Sequence, residues 1–140
     1  MKLSCKTLPD TLSYNVIGEI KGSTFADQVI VVGGHLDSWD IGEGAHDDGA
    51  GVVHSIEVMS LFKKLGIQPK HTIRCILYMN EENGNRGGKT YASFVKKNGE
   101  KHIMAVESDR GGFSPRGFSV DWTAGPLAVV QSFERLFEPY

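Results

Sequence analysis

The sequence predicts an α/β fold of three layers, with helices covering both faces of a mainly parallel, twisted sheet. Two observations predict it. Apolar runs of strand length alternate with stretches of helical periodicity along the 140 residues. Clusters of acids follow three of the strand-like runs, and ligands gather at the C-terminal ends of strands in open parallel sheets.

The elements follow in order. Residues 12–20, "LSYNVIGEI", alternate well enough for a strand. Residues 29–32, "VIVV", form a short continuous apolar run, as expected of a strand covered on both faces. From Ala50 to Leu65, apolar residues fall at Val52, Val53, Ile56, Met59, Phe62 and Leu65, which predicts a helix with one buried stripe. Gly66 and Pro69 then stop it. "TIRCILYM", residues 72–79, is the next strand, and Lys89 to Lys97 a short helix ended by Asn98 and Gly99. A strand over 102–108, a further one over 117–122 and a helix over 126–137 with proline in its first turn complete the pattern.

Composition narrows the function. The chain is 40 % hydrophobic and 23 % charged with a net charge of −2, ordinary for a globular domain. No basic face points to nucleic acid, and no apolar run approaches membrane-spanning length. Lys2 and Cys5 have no apolar segment between them, so they form no export signal. Cys75 lies within an apolar run and reads as a buried free thiol, and two cysteines make no disulfide framework.

The acids carry the chemistry. "GGHLD" follows the run 29–32, "NEEN" follows the strand at 72–79, and "ESD" ends the strand at 102–108. The loop before the long helix adds His46, Asp47 and Asp48. Singly, each cluster has a plain structural reading: Glu81 and Glu82 as solvated acids, Asp47 or Asp48 as a helix cap, His35 as a satisfied core histidine. Jointly they place several carboxylates and an imidazole at one sheet edge, where mutual repulsion calls for a cation such as zinc.

As an ordered set, "GGHLDS", "GAHDDGAG", "NEEN" and "ESD" resemble the co-catalytic di-zinc exopeptidases, the bacterial leucyl aminopeptidase-like family, and most of all its plasma glutamate carboxypeptidase branch. The resemblance implies that His35 and Asp109 are terminal ligands of one metal and that Asp47 bridges two. It implies that Glu82 binds the second metal, that Glu81 is the general base, and that Asp37 orients the His35 ring from behind. It also implies a cis peptide between Asp47 and Asp48. Glu107 shares a strand face with Asp109 and remains an alternative ligand. His46 reads as a loop residue near the site, Trp39 to Gly44 as a spacer, and Arg110 and Arg116 as surface arginines within reach of a substrate carboxylate.

The implied activity is zinc-dependent exopeptidase hydrolysis of a peptide or dipeptide, through a metal-bridging water with Glu81 as base. Glutaminyl-peptide cyclisation with one zinc is an alternative, as is a peptidase-like binding domain without catalysis. The family's last ligand is a distal histidine, whereas His46, His54, His71 and His102 all precede Asp109. The expectation is therefore a single, partial catalytic domain over 1–140, truncated at the C-terminus. It would hold a full terminal set for one of two zinc ions and only Asp47 and Glu82 for the other. Weak activity and self-association through an open sheet edge are expected of it. The resemblance further implies a secreted or periplasmic parent protein.

Overall fold

The computed structural model describes residues 2–109, 111–114 and 124–134. Two compact units are distinguished, Met1–Arg110 and Gly111–Tyr140. The first holds β1 (Val16–Ile20), β2 (Phe25–His35), α1 (Gly49–Lys64), β3 (His71–Tyr78), α2 (Arg86–Asn98) and β4 (Lys101–Glu107). The second holds α3 (Ala124–Ser132), a helix that starts two residues before the expected one. The strand expected over 117–122 lies outside the described residues, as do Arg110 and Arg116.

The sheet order is β1-β3-β2-β4. β2 runs parallel to both β3 and β4, while β1 lies antiparallel against β3. The sheet is thus mainly parallel, as its sequence pattern indicates. The chain steps from β2 to β3 on one side, then returns past β2 to place β4 on the other. That reversal makes the C-terminal ends of β2 and β4 the flanks of a topological switch point, where α/β sheets open a crevice.

Alternation along β2 separates its faces. Val29 and Val31 pack with Ile76 and with Tyr91 of α2, joined by Tyr78 and Val95. Gly34, of opposite parity, meets the first turn of α1, where an added Cβ would stand 2.9 Å from the Gly51 carbonyl carbon. Helices therefore cover both faces. Ile73, Cys75 and Leu77 are buried on β3, and burial raises the Cys75 thiol pKa.

Several elements differ from the sequence expectation for physical reasons. β1 begins at Val16 rather than Leu12, because the Asn15 side chain bonds to backbone beyond the end of β3. β2 extends to both sides of the apolar run, since Gly33, Gly34 and His35 continue its ladder with β3. α2 starts at Arg86 rather than Lys89: "RGG" looks like a break in sequence, yet Gly87 is where the helix start closes onto Met79 and Asn15. The buried stripe of α1 is also offset. Gly51 and Ser55 are its buried residues and Val52, Met59 and Phe62 of the expected stripe are partly buried, whereas Val53, Ile56 and Leu65, the last just past the helix, are exposed. Small residues let this helix lie close to the glycine end of β2.

Candidate metal centre

β2 ends at His35, which is 1 % exposed. The β2–α1 loop brings Asp47 to it, and the segment after β4 brings Asp109. His35 Nε2 lies 3.1 Å from Asp47 Oδ1 and 3.4 Å from Asp109 Oδ1. One ligand atom from each of the three residues falls within 4.8 Å of the others.

The other ring nitrogen decides what this trio can do. His35 Nδ1 lies 2.8 Å from the Asp37 carbonyl oxygen, which can only accept, so Nδ1 carries the proton. A neutral ring then turns the Nε2 lone pair toward two carboxylates. That arrangement is repulsive unless a proton or a metal cation sits between them. The local electrostatics point the same way. Burial acts to lower the His35 pKa, but the Asp37 carbonyl and the charges of Asp48, Glu81 and Asp109 outweigh it, and the pKa ends raised.

Asp37 does more than support the ring. Its carboxylate Oδ1 is 3.8 Å from His35 Nδ1, outside hydrogen-bond range. The two oxygens instead accept from the Glu81 amide at 2.9 Å and the Glu82 amide at 3.2 Å. One residue thus sets the imidazole through its carbonyl and the "EE" pair through its carboxylate. Asn80, at the head of that loop, has φ 63°, a left-handed conformation that asparagine tolerates.

Glu82 Oε1 is buried without a hydrogen-bond partner among the described residues. Burial first, then the neighbouring charge of Asp47, raises its pKa. A buried, unpartnered carboxylate oxygen beside a second carboxylate is a fit place for a divalent cation. The donor set of one imidazole and several carboxylates suits zinc.

Asp48, 1 % exposed, ties the site to the fold. Its Oδ2 accepts from the His35 amide at 2.8 Å, and its Oδ1 caps α1 by accepting from the Gly51 amide at 2.9 Å. The Asp47–Asp48 peptide is cis. Gly51 has no room for a side chain: a Cβ there would stand 1.8 Å from the Ser108 carbonyl oxygen. The segment after β4 therefore crosses directly over the first turn of α1, and the Ser108 amide donates to the Gly33 carbonyl at 3.1 Å.

His35, Asp47 and Asp109 are thus brought together, with Asp37 behind them. Glu81 and Glu82 stand on the adjoining loop, and the charge of Glu81 bears on both His35 and Glu82. Glu107 pairs with Gly33 in the ladder and is not part of the trio. His46 is exposed on the loop. Trp39 is 63 % exposed and Ile41 fully so, while Ser38 and Asp40 line a cavity with Asn80, Asn83 and Arg86. Sequence reasoning missed Asn15, whose two hydrogen bonds reach 64 and 72 residues along the chain and leave no local signal.

Known proteins resemble this chain in sequence and fold. Residues 15–140 match the model of peptidase family M28. Carboxypeptidase Q of Homo sapiens is 42 % identical over 139 residues, which is 99 % of this chain and 29 % of that protein. A probable aminopeptidase of Saccharomyces cerevisiae is 30 % identical over 113 residues, 71 % of this chain and 30 % of that protein. The crystal structure of a peptidase M28 precursor from Shewanella amazonensis SB2B superposes with a TM-score of 0.64 at 50 % identity, covering 71 % of this chain and 22 % of that one. The chain spans under a third of the length of the curated relatives it matches.

Proposed function

Since the chain belongs to peptidase family M28, we propose that it carries metal-binding and catalytic residues of a zinc-dependent exopeptidase acting on peptides or dipeptides. The single observation that supports this most is the His35 ring, fixed by the Asp37 carbonyl so that Nε2 faces the carboxylates of Asp47 and Asp109.

In this reading His35, Asp47 and Asp109 hold one zinc. Asp47 and Glu82 give a second zinc two ligands from these 140 residues. Zinc, when bound, supplies Lewis acidity at the scissile carbonyl and lowers the pKa of the attacking water. Glu81 takes the proton of that water on its carboxylate and returns it to the leaving amine. Asp37 holds the backbone of Glu81 and Glu82, so the base and the ligand keep their separate directions. Asp48 fixes the His35 backbone through its amide.

Similarity to carboxypeptidase Q supports a carboxypeptidase or dipeptidase substrate range, and secretion or a periplasmic location is proposed alongside it, in keeping with the precursor form named for the Shewanella relative. The test is Glu81→Gln in the zinc-loaded protein. We expect dipeptide turnover to fall by about 10²–10⁴-fold with zinc content unchanged. Retained turnover would remove Glu81 from the role of base.

A further inference from the structure

The loop that carries Glu81 and Glu82 runs over residues 79–85, between the end of β3 and the start of α2, whose first turn contains Gly87. Its two feet are Met79 and Gly87. The Gly87 amide donates to the Met79 carbonyl at 2.9 Å, which draws the feet together. The Met79 amide donates to Asn15 Oδ1 at 3.0 Å, and Asn15 Nδ2 donates to the Gly87 carbonyl at 3.0 Å. Met79 and Gly87 thus each use both backbone groups in one closed triangle with the Asn15 amide.

We propose that Asn15 is a positioning residue of the hydrolytic reaction, fixing the base of the Glu81–Glu82 loop while Asp37 fixes its crown. The inference rests on the zinc exopeptidase reading of the same site. Asn15 immediately precedes the first paired residue of β1, where Val16 stands against Leu77. Its side chain takes over from the ladder at the point where β3 ends. The two foot carbonyls and amides need one donor and one acceptor at a single short reach, which a carboxamide supplies and a carboxylate does not. Gly87 is shaped for this contact: a Cβ there would stand 2.4 Å from Asn15 Oδ1 and 2.4 Å from the Met79 carbonyl oxygen. Asp37 grips the same loop from the β2 side, at the amides of Glu81 and Glu82. The loop is held between two polar clamps from elements distant in sequence, and its two carboxylates depend on both.

The test compares Asn15→Asp and Asn15→Ala with the parent protein, zinc-loaded, on a dipeptide substrate, beside the absorption spectrum of the cobalt-substituted forms. Asn15→Asp keeps the acceptor for the Met79 amide and loses the donor to Gly87. The expected result is a fall in kcat of about 10- to 100-fold per folded molecule, with KM within about threefold of the parent. Zinc content stays the same and the cobalt bands shift, because the Glu82 carboxylate is reoriented but not lost as a ligand.

Unchanged kcat would overturn the proposal. So would a loss that only follows the folded fraction with an unaltered cobalt spectrum, or failure of both variants to fold, either of which makes Asn15 a residue of the fold alone. Failure of the parent protein to hydrolyse dipeptides, or retained turnover in Glu81→Gln, would instead sink the enzymatic reading, with the cobalt spectrum of Asn15→Asp still reporting on the clamp.

Discussion

The His35 amide donates to Asp48 Oδ2 at 2.8 Å, while Oδ1 of the same carboxylate caps the first turn of α1. A strand end and a helix start are thereby joined by one buried side chain. Asp48→Ala leaves the His35 and Gly51 amides buried without acceptors. The expected loss is roughly 2–4 kcal/mol, read as a lower urea midpoint at constant m-value. A loss below about 0.5 kcal/mol would mean that water replaces the carboxylate.

Gly51 lies where α1, Asp48 and the segment after β4 converge. A methyl group there meets the Ser108 carbonyl oxygen and Asp48 Oδ1, at 1.8 and 2.2 Å, and neither is the far end of a flexible chain. Gly51→Ala should destabilise by about 1–3 kcal/mol or more and weaken zinc binding by displacing Asp109. Calorimetric zinc titration beside thermal unfolding checks both. Wild-type zinc affinity in the alanine variant would show that the crossing can shift without cost.

Asp37→Asn keeps the backbone carbonyl that orients His35 and removes one of two carboxylate acceptors for the Glu81 and Glu82 amides. Loss of such a supporting contact predicts about a 10- to 100-fold fall in metal affinity or activity. Because the ring contact is untouched, the fall should appear in turnover more than in the affinity of the first zinc. The reverse pattern would place the main role of Asp37 at the ring.

A polar cluster away from the site predicts a pH dependence. Arg74, 12 % exposed, donates to Glu19 at 2.7 Å, to Tyr91 at 2.8 Å and to Glu100 at 2.5 Å, and His102 lies 3.3 Å from the same Glu100 oxygen. Burial acts to raise the Glu100 pKa, but the bond to Arg74 and its charge, followed by His102, outweigh it, and the pKa ends lowered. The stabilisation is therefore full above the ordinary glutamate value of 4.5 and is lost as pH falls through the lowered folded value. Glu100→Gln should flatten the acid limb of stability against pH, measured by chemical unfolding between pH 3 and 6 (about the range where carboxylates titrate). An unchanged acid limb would assign it to other carboxylates.

The alternation of strands and helices was legible because period and length carry it, while the trio of His35, Asp47 and Asp109 was named through the resemblance of four ordered motifs and not through spacing. Contacts between distant segments were not legible. Nothing near Asn15 announces Met79 or Gly87, and the glycines of α2 look like a helix break until the close approach at Gly87 is seen. The α1 stripe misled for a related reason. Apolar spacing favours Ile56 and Leu65, but Gly34 on the strand selects the face with Gly51 and Ser55. Asp37 shows the limit for roles: the resemblance implies a partner of the ring, while its carboxylate accepts from the Glu81 and Glu82 amides of the next loop.

The reversal of the chain about β2 bears on how the molecule matures. His35 ends β2 and Asp109 follows β4, its neighbour in the sheet, yet β3 and α2 lie between them in the chain. If His35, Asp47 and Asp109 bind zinc as proposed, metal capture reports that β4 has docked beside β2. In refolding followed with a zinc-sensitive dye, metal uptake should trail the helical signal; uptake that came first would mean the ion templates the sheet instead.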